Sequence, residues 1–183
     1  MMSEQEIQSR NYIRRRSALK AIFAAWLVAA TLDITAATLN YLFTFGGRLT
    51  ILYQFIASGV FGRNAFSGGL LMALLGLLFH YTIALIWTLI FYFLFPRVKV
   101  FQRNRLVTGI IYGLVVWTAM NLVVLPLSGV PHIPFRPVQT TLAVLYVVFC
   151  IGVPISMIIG KFYSVAPKDS PPVRFDNETL THS

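Results

Sequence analysis

The side chain of greatest chemical interest is a histidine inside an apolar run. Residues 68–95, GGLLMALLGLLFHYTIALIWTLIFYFLF, contain no Asp, Glu, Lys or Arg and hold one histidine, His80. An imidazole can donate a hydrogen bond, accept one, or take up a proton near neutral pH. Ionisable groups at membrane depth are costly and either have a partner or serve a function. His80 is therefore the first candidate for chemistry.

Two other polar side chains lie at a similar depth in neighbouring apolar runs. With a helix rise of about 1.5 Å per residue, His80 lies roughly 21 Å, Asn121 roughly 22 Å and Asp33 roughly 16 Å from the basic ends of their runs. An intramembrane carboxyl group needs a partner or a proton, and His80 is the best candidate to partner Asp33. Either this polar intramembrane layer fixes helix register by hydrogen bonds, or it lines a proton or substrate path or binds a polar headgroup.

Other reactive residues give weaker signals. Ser128 and His132 are a nucleophile and a base four residues apart, but a Ser/His pair without a third orienting group is weak evidence for a hydrolase. Cys150, the single cysteine, can form neither an internal disulfide nor a thiolate metal site. The sequence has no HExxH motif, no paired intramembrane carboxylates and no Gly-rich phosphate loop. We therefore expect no catalytic residue, no metal site and no cofactor.

These residues belong to four apolar runs, at about 18–43, 69–95, 106–127 and 139–162. Of the 183 residues, 57% are apolar and 11% charged, which excludes an ordinary soluble domain. About 20 apolar helical residues cross a hydrocarbon core of about 30 Å. The sequence predicts an all-α polytopic membrane protein, with four transmembrane helices in a compact bundle within residues 17–163.

The basic residues alternate between the two sides of this arrangement. Of the 15 Lys and Arg residues, twelve precede the first run, fill the second connection or follow the fourth run, and three lie in the other two connections. This bias predicts that both termini are cytoplasmic. The same distribution indicates that the net charge of +9 serves contact with anionic lipid headgroups and not binding of nucleic acid.

The connections and termini differ in character. Residues 1–16 form a polar and basic cytoplasmic segment, and residues 164–183, rich in Pro, Ser and charge, predict a disordered cytoplasmic tail. A helix at about 49–60 is too short to span, so we expect it to be half-buried at the outer interface or re-entrant. Its apolar residues share one face, and Tyr53, Gln54 and Ser58 fall on the opposite face.

Small residues recur at helical spacing in the runs, as in membrane helices that approach closely. The predicted packing positions are Gly69, Gly76, Gly109, Gly113, Gly152, Ser156 and Gly160. Pro126 and Pro154 lie near or within the third and fourth runs. Each predicts a tolerated kink, or alternatively a freed carbonyl that binds an ion.

The second and third runs carry a recognisable order of motifs. A glycine stands four residues before a histidine, followed by an aromatic, "FP" with basic residues, a Gly-rich span and "PL-x-G". The positions are Gly76, His80, Tyr92, Phe95, Pro96, Lys99, Gly109, Gly113, Pro126, Leu127 and Gly129. This order resembles the YagU-like family of uncharacterised bacterial inner-membrane proteins. The resemblance implies a small polytopic inner-membrane protein of unassigned activity.

Three functions remain open at this point. The first is an integral inner-membrane protein of unassigned, non-enzymatic role. The second is a small proton-linked transporter or channel that uses Asp33 and His80. The third is a lipid-modifying enzyme at the outer face that uses Ser128 and His132. The sequence leaves open whether the chain also associates with a second copy or with another membrane protein.

Overall fold

The computed structural model describes residues 4–131 and 136–165, and this part of the chain contains helices and no strand. The helices are α1 (Glu4–Phe45), α2 (Leu49–Phe61), α3 (Gly69–Leu94), α4 (Arg105–Ala119), α5 (Leu125–Leu127), α6 (Pro137–Tyr146) and α7 (Val153–Val165). Two 3₁₀ turns, Gly62–Ser67 and Lys99–Gln102, lie in the connections. Two π-helical segments, π1 (Met120–Val124) and π2 (Val147–Gly152), join α4 to α5 and α6 to α7.

Four helical stretches are long and apolar enough to cross a membrane, and they pack together in a compact bundle. We call them span 1 (Arg15–Phe45), span 2 (Gly69–Leu94), span 3 (Arg105–Leu127) and span 4 (Pro137–Ser164). The predicted fold class is confirmed, and the chain is an integral, multi-pass membrane protein. From residue 166 onward the predicted disordered tail lies outside the described residues.

The ends of the helices follow from local sequence. No Gly or Pro occurs before Gly46, so α1 runs unbroken from the polar N-terminal segment through span 1. Gly46 ends the helix in the left-handed region (φ +58°), where its N–H donates to the Leu42 carbonyl at 2.9 Å. At the start of α4, the Asn104 side chain accepts from the amides of Leu106 and Val107 at 3.0 and 3.2 Å.

The buried core fills the half of the bundle next to the basic residues, which we call the basic end. Phe91 and Tyr112 pack edge to face there, with ring centroids 4.6 Å apart, and the Tyr112 hydroxyl donates to the Trp87 carbonyl at 2.6 Å. These contacts leave this half of the bundle closed. The core comprises Ala18, Ile22, Ala25, Ala29, Phe91, Tyr92, Phe95, Tyr112, Val116, Ile151, Ile155 and Ile159.

Spans 3 and 4 approach each other backbone to backbone at glycines. A methyl group built on Gly113 would lie 2.5 Å from the Val148 Cα, and one on Gly109 would lie 2.7 Å from the Val153 Cα. Gly152 packs against the two turns of span 3 that contain Gly109 and Gly113. A methyl group at Gly152 would meet the Gly109 carbonyl and lie 2.7 Å from the Gly113 nitrogen. No side chain fits at any of these three positions.

The remaining predicted packing positions serve different purposes. The buried Ser156 Oγ donates to the Arg105 carbonyl at 2.8 Å, and Gly160 lies against the Arg105 side chain. Gly69, however, is not a packing position, because a methyl group there would meet nothing within 4 Å. Its positive φ of +58° shows that a turn requires glycine at this position.

Helix α2 packs its polar face against the protein, and its apolar face is half-buried to exposed. Gln54 and Ser58 are buried, and the Gln54 Nε2 donates to the Gly69 carbonyl at 2.8 Å. Gly76 of α3 faces the Tyr53 carbonyl directly, so the two helices touch through their backbones. Val60, on the other face, is 67% exposed. This inversion is typical of a helix surrounded by lipid, where small and polar residues form the protein contact.

Candidate functional site: an intramembrane cavity

Beyond the closed basic end, the four spans and α2 surround a partly open cavity of about 410 Å³. This volume lies within the range of about 300–1,000 Å³ that is usual for small-molecule pockets. Its wall is mostly apolar and includes three aromatic residues. Residues from α2, α3 and both π-helical segments contribute to it, among them Phe55, Gly59, Phe79, Trp87, Met120 and Ile151.

Asp33 of span 1 and His80 of span 2 both line this cavity and lie close enough for each charge to act on the other. The His80 Nε2 lies 2.9 Å from the Ala30 carbonyl oxygen. Because a carbonyl oxygen only accepts, Nε2 carries a proton and donates it. The second ring nitrogen, Nδ1, is then the acceptor atom of the ring.

The Asp33 carboxylate has few polar neighbours. Within residues 4–131 and 136–165, no group donates a hydrogen bond to it, and it forms no salt bridge with His80. The thiol of Cys150, in π2, is another titratable group on which the charge of Asp33 acts. A carboxylate placed in this way is exposed to whatever enters the cavity.

Asn121 lies apart from this pair. Its amide Nδ2 donates to the Trp117 carbonyl of its own helix at 2.9 Å, and the residue does not line the cavity. Met120 and Val124 occupy the positions of π1 that face the cavity instead. The structure therefore brings together two of the three predicted residues, and the predicted layer does not extend to span 3.

Each π-helical segment ends two residues before a proline. In π1 the Leu125 N–H donates to the Met120 carbonyl, five residues back, and Pro126 has no N–H to donate. The Asn121 carbonyl thereby loses both of its helical donors. In π2 the Val153 N–H donates in the same way to the Val148 carbonyl, and Pro154 follows. A widened helical turn thus precedes each proline, in span 3 and in span 4.

Both π-helical segments form part of the cavity wall. Met120 and Val124 come from π1, and Val147 and Ile151 come from π2. Single π-turns inside α-helices occur frequently at functional sites. The sequence contains the two prolines but does not indicate the cavity beside them. The paired positions of Pro126 and Pro154 were the signal that could have indicated it.

Ser128 lines the cavity, and its hydroxyl forms hydrogen bonds within its own loop. Its Oγ donates to the Leu125 carbonyl at 2.8 Å and accepts from the Val130 N–H at 3.4 Å. The adjacent Gly129 N–H donates to the Gly59 carbonyl at 2.9 Å and so ties this loop to α2. Its predicted partner, His132, lies outside the described residues.

No metal centre accompanies the pair: the described residues contain no group of three His, Cys, Asp or Glu side chains that could hold a metal ion. Comparisons of the chain with protein-family models, with curated proteins and with solved structures found no match. The function of the cavity is therefore inferred from its own geometry.

Proposed function

We propose that the protein is a small, non-enzymatic, proton-linked transporter that binds its solute in the cavity beside Asp33 and His80. The observation that carries this proposal is the placement of an acid and an imidazole on the wall of one otherwise apolar cavity. Such pairs mark substrate and proton pathways in membrane proteins. The polar pair supplies the proton chemistry, and the apolar wall supplies the binding surface.

A purely structural role explains the pair less well. That role requires hydrogen bonds among Asp33, His80 and Asn121 across the bundle, whereas Asn121 bonds its own helix. The bond from His80 to Ala30 joins spans 1 and 2, but it leaves the Asp33 carboxylate without a described donor. An uncompensated carboxylate at membrane depth is destabilising. A bound proton or solute removes that destabilisation. A purely structural role, in which the pair only fixes helix register, does not.

An enzymatic role at the outer face has less support. The Ser128 hydroxyl donates its proton to a backbone carbonyl within its own turn, so it is not paired with a base among the described residues. A nucleophilic serine needs a base within hydrogen-bond reach. We therefore retain the non-enzymatic function.

The shape of the bundle supports access from one side at a time. The basic end is closed by the aromatic core, whereas the cavity is partly open in the other half. In this state a solute enters from the side opposite the basic end. Release at the basic end requires Phe91 and Tyr112 to separate, since they pack against each other directly below the cavity wall at Trp87.

We also propose a location and a relationship for the chain. The alternation of basic residues supports a bacterial inner membrane with both termini in the cytoplasm. The order of motifs from Gly76 to Gly129 supports membership of the YagU-like family. Anionic headgroups then contact the basic end, whose Lys and Arg residues include Arg15, Arg16, Lys20, Arg97, Lys99, Arg103, Arg105 and Lys161.

Reporter fusions test the orientation. Fusions after Arg103 and at Ser183 are expected to report a cytoplasmic position, and a fusion after Gly47 an external one, because short loops obey the positive-inside bias. Alkaline phosphatase and a fluorescent reporter that matures only in the cytoplasm give complementary signals at each site. An external signal at Ser183 would contradict a four-span arrangement.

Transport is tested with purified protein in proteoliposomes that enclose a pH-sensitive dye. With an imposed proton gradient and a panel of ions and metabolites, we expect solute uptake coupled to proton movement. Asp33→Asn should abolish this flux, because an amide cannot exchange the proton. Asn121→Leu is the matched control, since it removes a polar side chain at a similar depth outside the cavity. Equal loss in both variants would favour the three-residue layer over the cavity.

A further inference from the structure

We infer that the solute taken by this cavity is a lipophilic cation, with an aromatic or aliphatic body and one positive charge placed beside Asp33. This inference rests on the proposed function and specifies its substrate class. Three features of the cavity wall carry it: the sign of its charge, its aromatic residues, and its apolar volume.

The charge of the wall selects against anions. Asp33 is the one acidic residue among the lining residues, and no Lys or Arg belongs to the described wall. His80 already uses its Nε2 proton on the Ala30 carbonyl, so its fixed donor is not available to an anionic solute. In a low-dielectric site the attraction between unlike charges is far stronger than in water. A cation beside Asp33 therefore gains the counter-ion that the described residues do not fully provide.

The aromatic residues of the wall favour the same sign of charge. Phe55 of α2, with Phe79 and Trp87 of α3, lines the cavity together with Asp33. The face of an aromatic ring attracts a cation within about 6 Å, most strongly when both are desolvated. Phe79 is held in place by stacking on Phe61, with ring centroids 6.0 Å apart. A rigid aromatic wall next to one carboxylate is a suitable receptor for an organic cation.

The apolar lining requires that the cation also have a large apolar group. A volume of about 410 Å³ lined chiefly by apolar side chains would hold a small hydrated metal ion or ammonium poorly, because its water shell would find few hydrogen-bond partners. A neutral lipophile would fill the same space but would leave the carboxylate uncompensated. A cation with an apolar body satisfies both parts of the wall.

Two probe ions of the same size and opposite charge test this inference. Tetraphenylphosphonium and tetraphenylborate share their shape and their four phenyl groups. Equilibrium dialysis with the full chain in a non-ionic detergent should show saturable binding of tetraphenylphosphonium, and at least tenfold weaker binding of tetraphenylborate. Equal binding of the two ions, or preference for the anion, would overturn the inference. This comparison uses the unaltered protein and does not depend on any variant folding.

Variants then locate the binding site. Asp33→Asn should weaken tetraphenylphosphonium binding at least tenfold, and Phe79→Leu should weaken it severalfold by removing one ring. Asn121→Leu, outside the cavity, should bind as the unaltered protein does. Size-exclusion profiles and thermal unfolding verify that each variant is folded. Undiminished binding by a folded Asp33→Asn protein would show that the cation binds elsewhere and would refute the inference.

The binding assay and the transport assay fail independently. Dialysis measures equilibrium binding and needs neither a membrane nor a proton gradient. If tetraphenylphosphonium binds at Asp33 but no solute drives proton movement in proteoliposomes, the transport proposal is wrong and the cation site stands. If another class of solute drives proton movement and tetraphenylphosphonium does not bind, transport stands and the assignment of a cation is wrong.

Discussion

Replacing Gly152 by leucine is expected to prevent spans 3 and 4 from packing and so to abolish the compact bundle. A methyl group at Gly152 would already meet the Gly109 carbonyl and would lie 2.7 and 2.8 Å from the Gly113 nitrogen and Cα. All three atoms belong to the backbone of span 3, so no side-chain rotation relieves the contact. Overpacking of a core costs typically about 1–3 kcal/mol, and a backbone obstacle of this kind belongs at or above the upper end.

The expected loss is large because the contact lies where the two helices are closest. Thermal unfolding in detergent, followed by fluorescence-detected size exclusion, should show either no folded Gly152→Leu protein or a strongly lowered midpoint. Gly59→Ala is the control, because a methyl group there would lie 3.7 Å from the Val130 Cγ2, an ordinary contact. Alanine in place of a helical glycine stabilises by up to about 1 kcal/mol. Similar midpoints for the two variants would disprove the assigned packing role.

Much of this architecture was accessible from sequence because its physical causes are local. The length of each apolar run and the distribution of charge predict four spans, and the structure confirms them. The first span extends beyond the predicted 18–43 to Arg15 and Phe45, since helical hydrogen bonding continues through charged residues until Gly46 interrupts it. Depth along a helix is similarly predictable, because the rise per residue is fixed.

Which side of each helix faces the protein interior is less predictable. Its depth places Asn121 in the polar layer, but the row that lines the cavity is Val116, Met120 and Val124, four residues apart, and Asn121 lies outside it. For α2, the sequence separates a polar and an apolar face without indicating which one is buried. Contact with Gly76 decides it, because only the small and polar side can approach so closely. Both outcomes depend on neighbouring helices and not on the local sequence.

The cavity itself was not predictable from sequence. It arises because α2 contacts span 2 along the Gly76 side while the prolines of spans 3 and 4 widen those helices nearby. The glycine and the prolines can be read from the sequence. Whether they leave a cavity between the helices depends on how the helices pack. The pairing of Asp33 with His80, by contrast, was expected from the cost of an isolated intramembrane carboxylate.

His80→Gln is expected to abolish proton coupling while leaving the fold nearly unchanged. The glutamine amide can donate to the Ala30 carbonyl as the imidazole Nε2 does, so the bond between spans 1 and 2 is retained. An amide cannot, however, take up and release a proton at neutral pH, as Nδ1 of histidine can. The substitution therefore keeps the hydrogen bond to Ala30 and removes the basic ring nitrogen.

Proton movement in dye-loaded proteoliposomes and thermal unfolding, measured on the same preparations, distinguish the two roles. His80→Leu provides the comparison, because it removes both the hydrogen bond and the proton site. Hydrogen bonds between membrane helices average about 0.6 kcal/mol, so even this variant should lose only a little stability. Loss of proton coupling in both variants, with stability lowered only in His80→Leu, is the pattern that a proton-carrying imidazole requires. Full proton coupling in a folded His80→Gln protein would mean that His80 only ties span 2 to the Ala30 carbonyl.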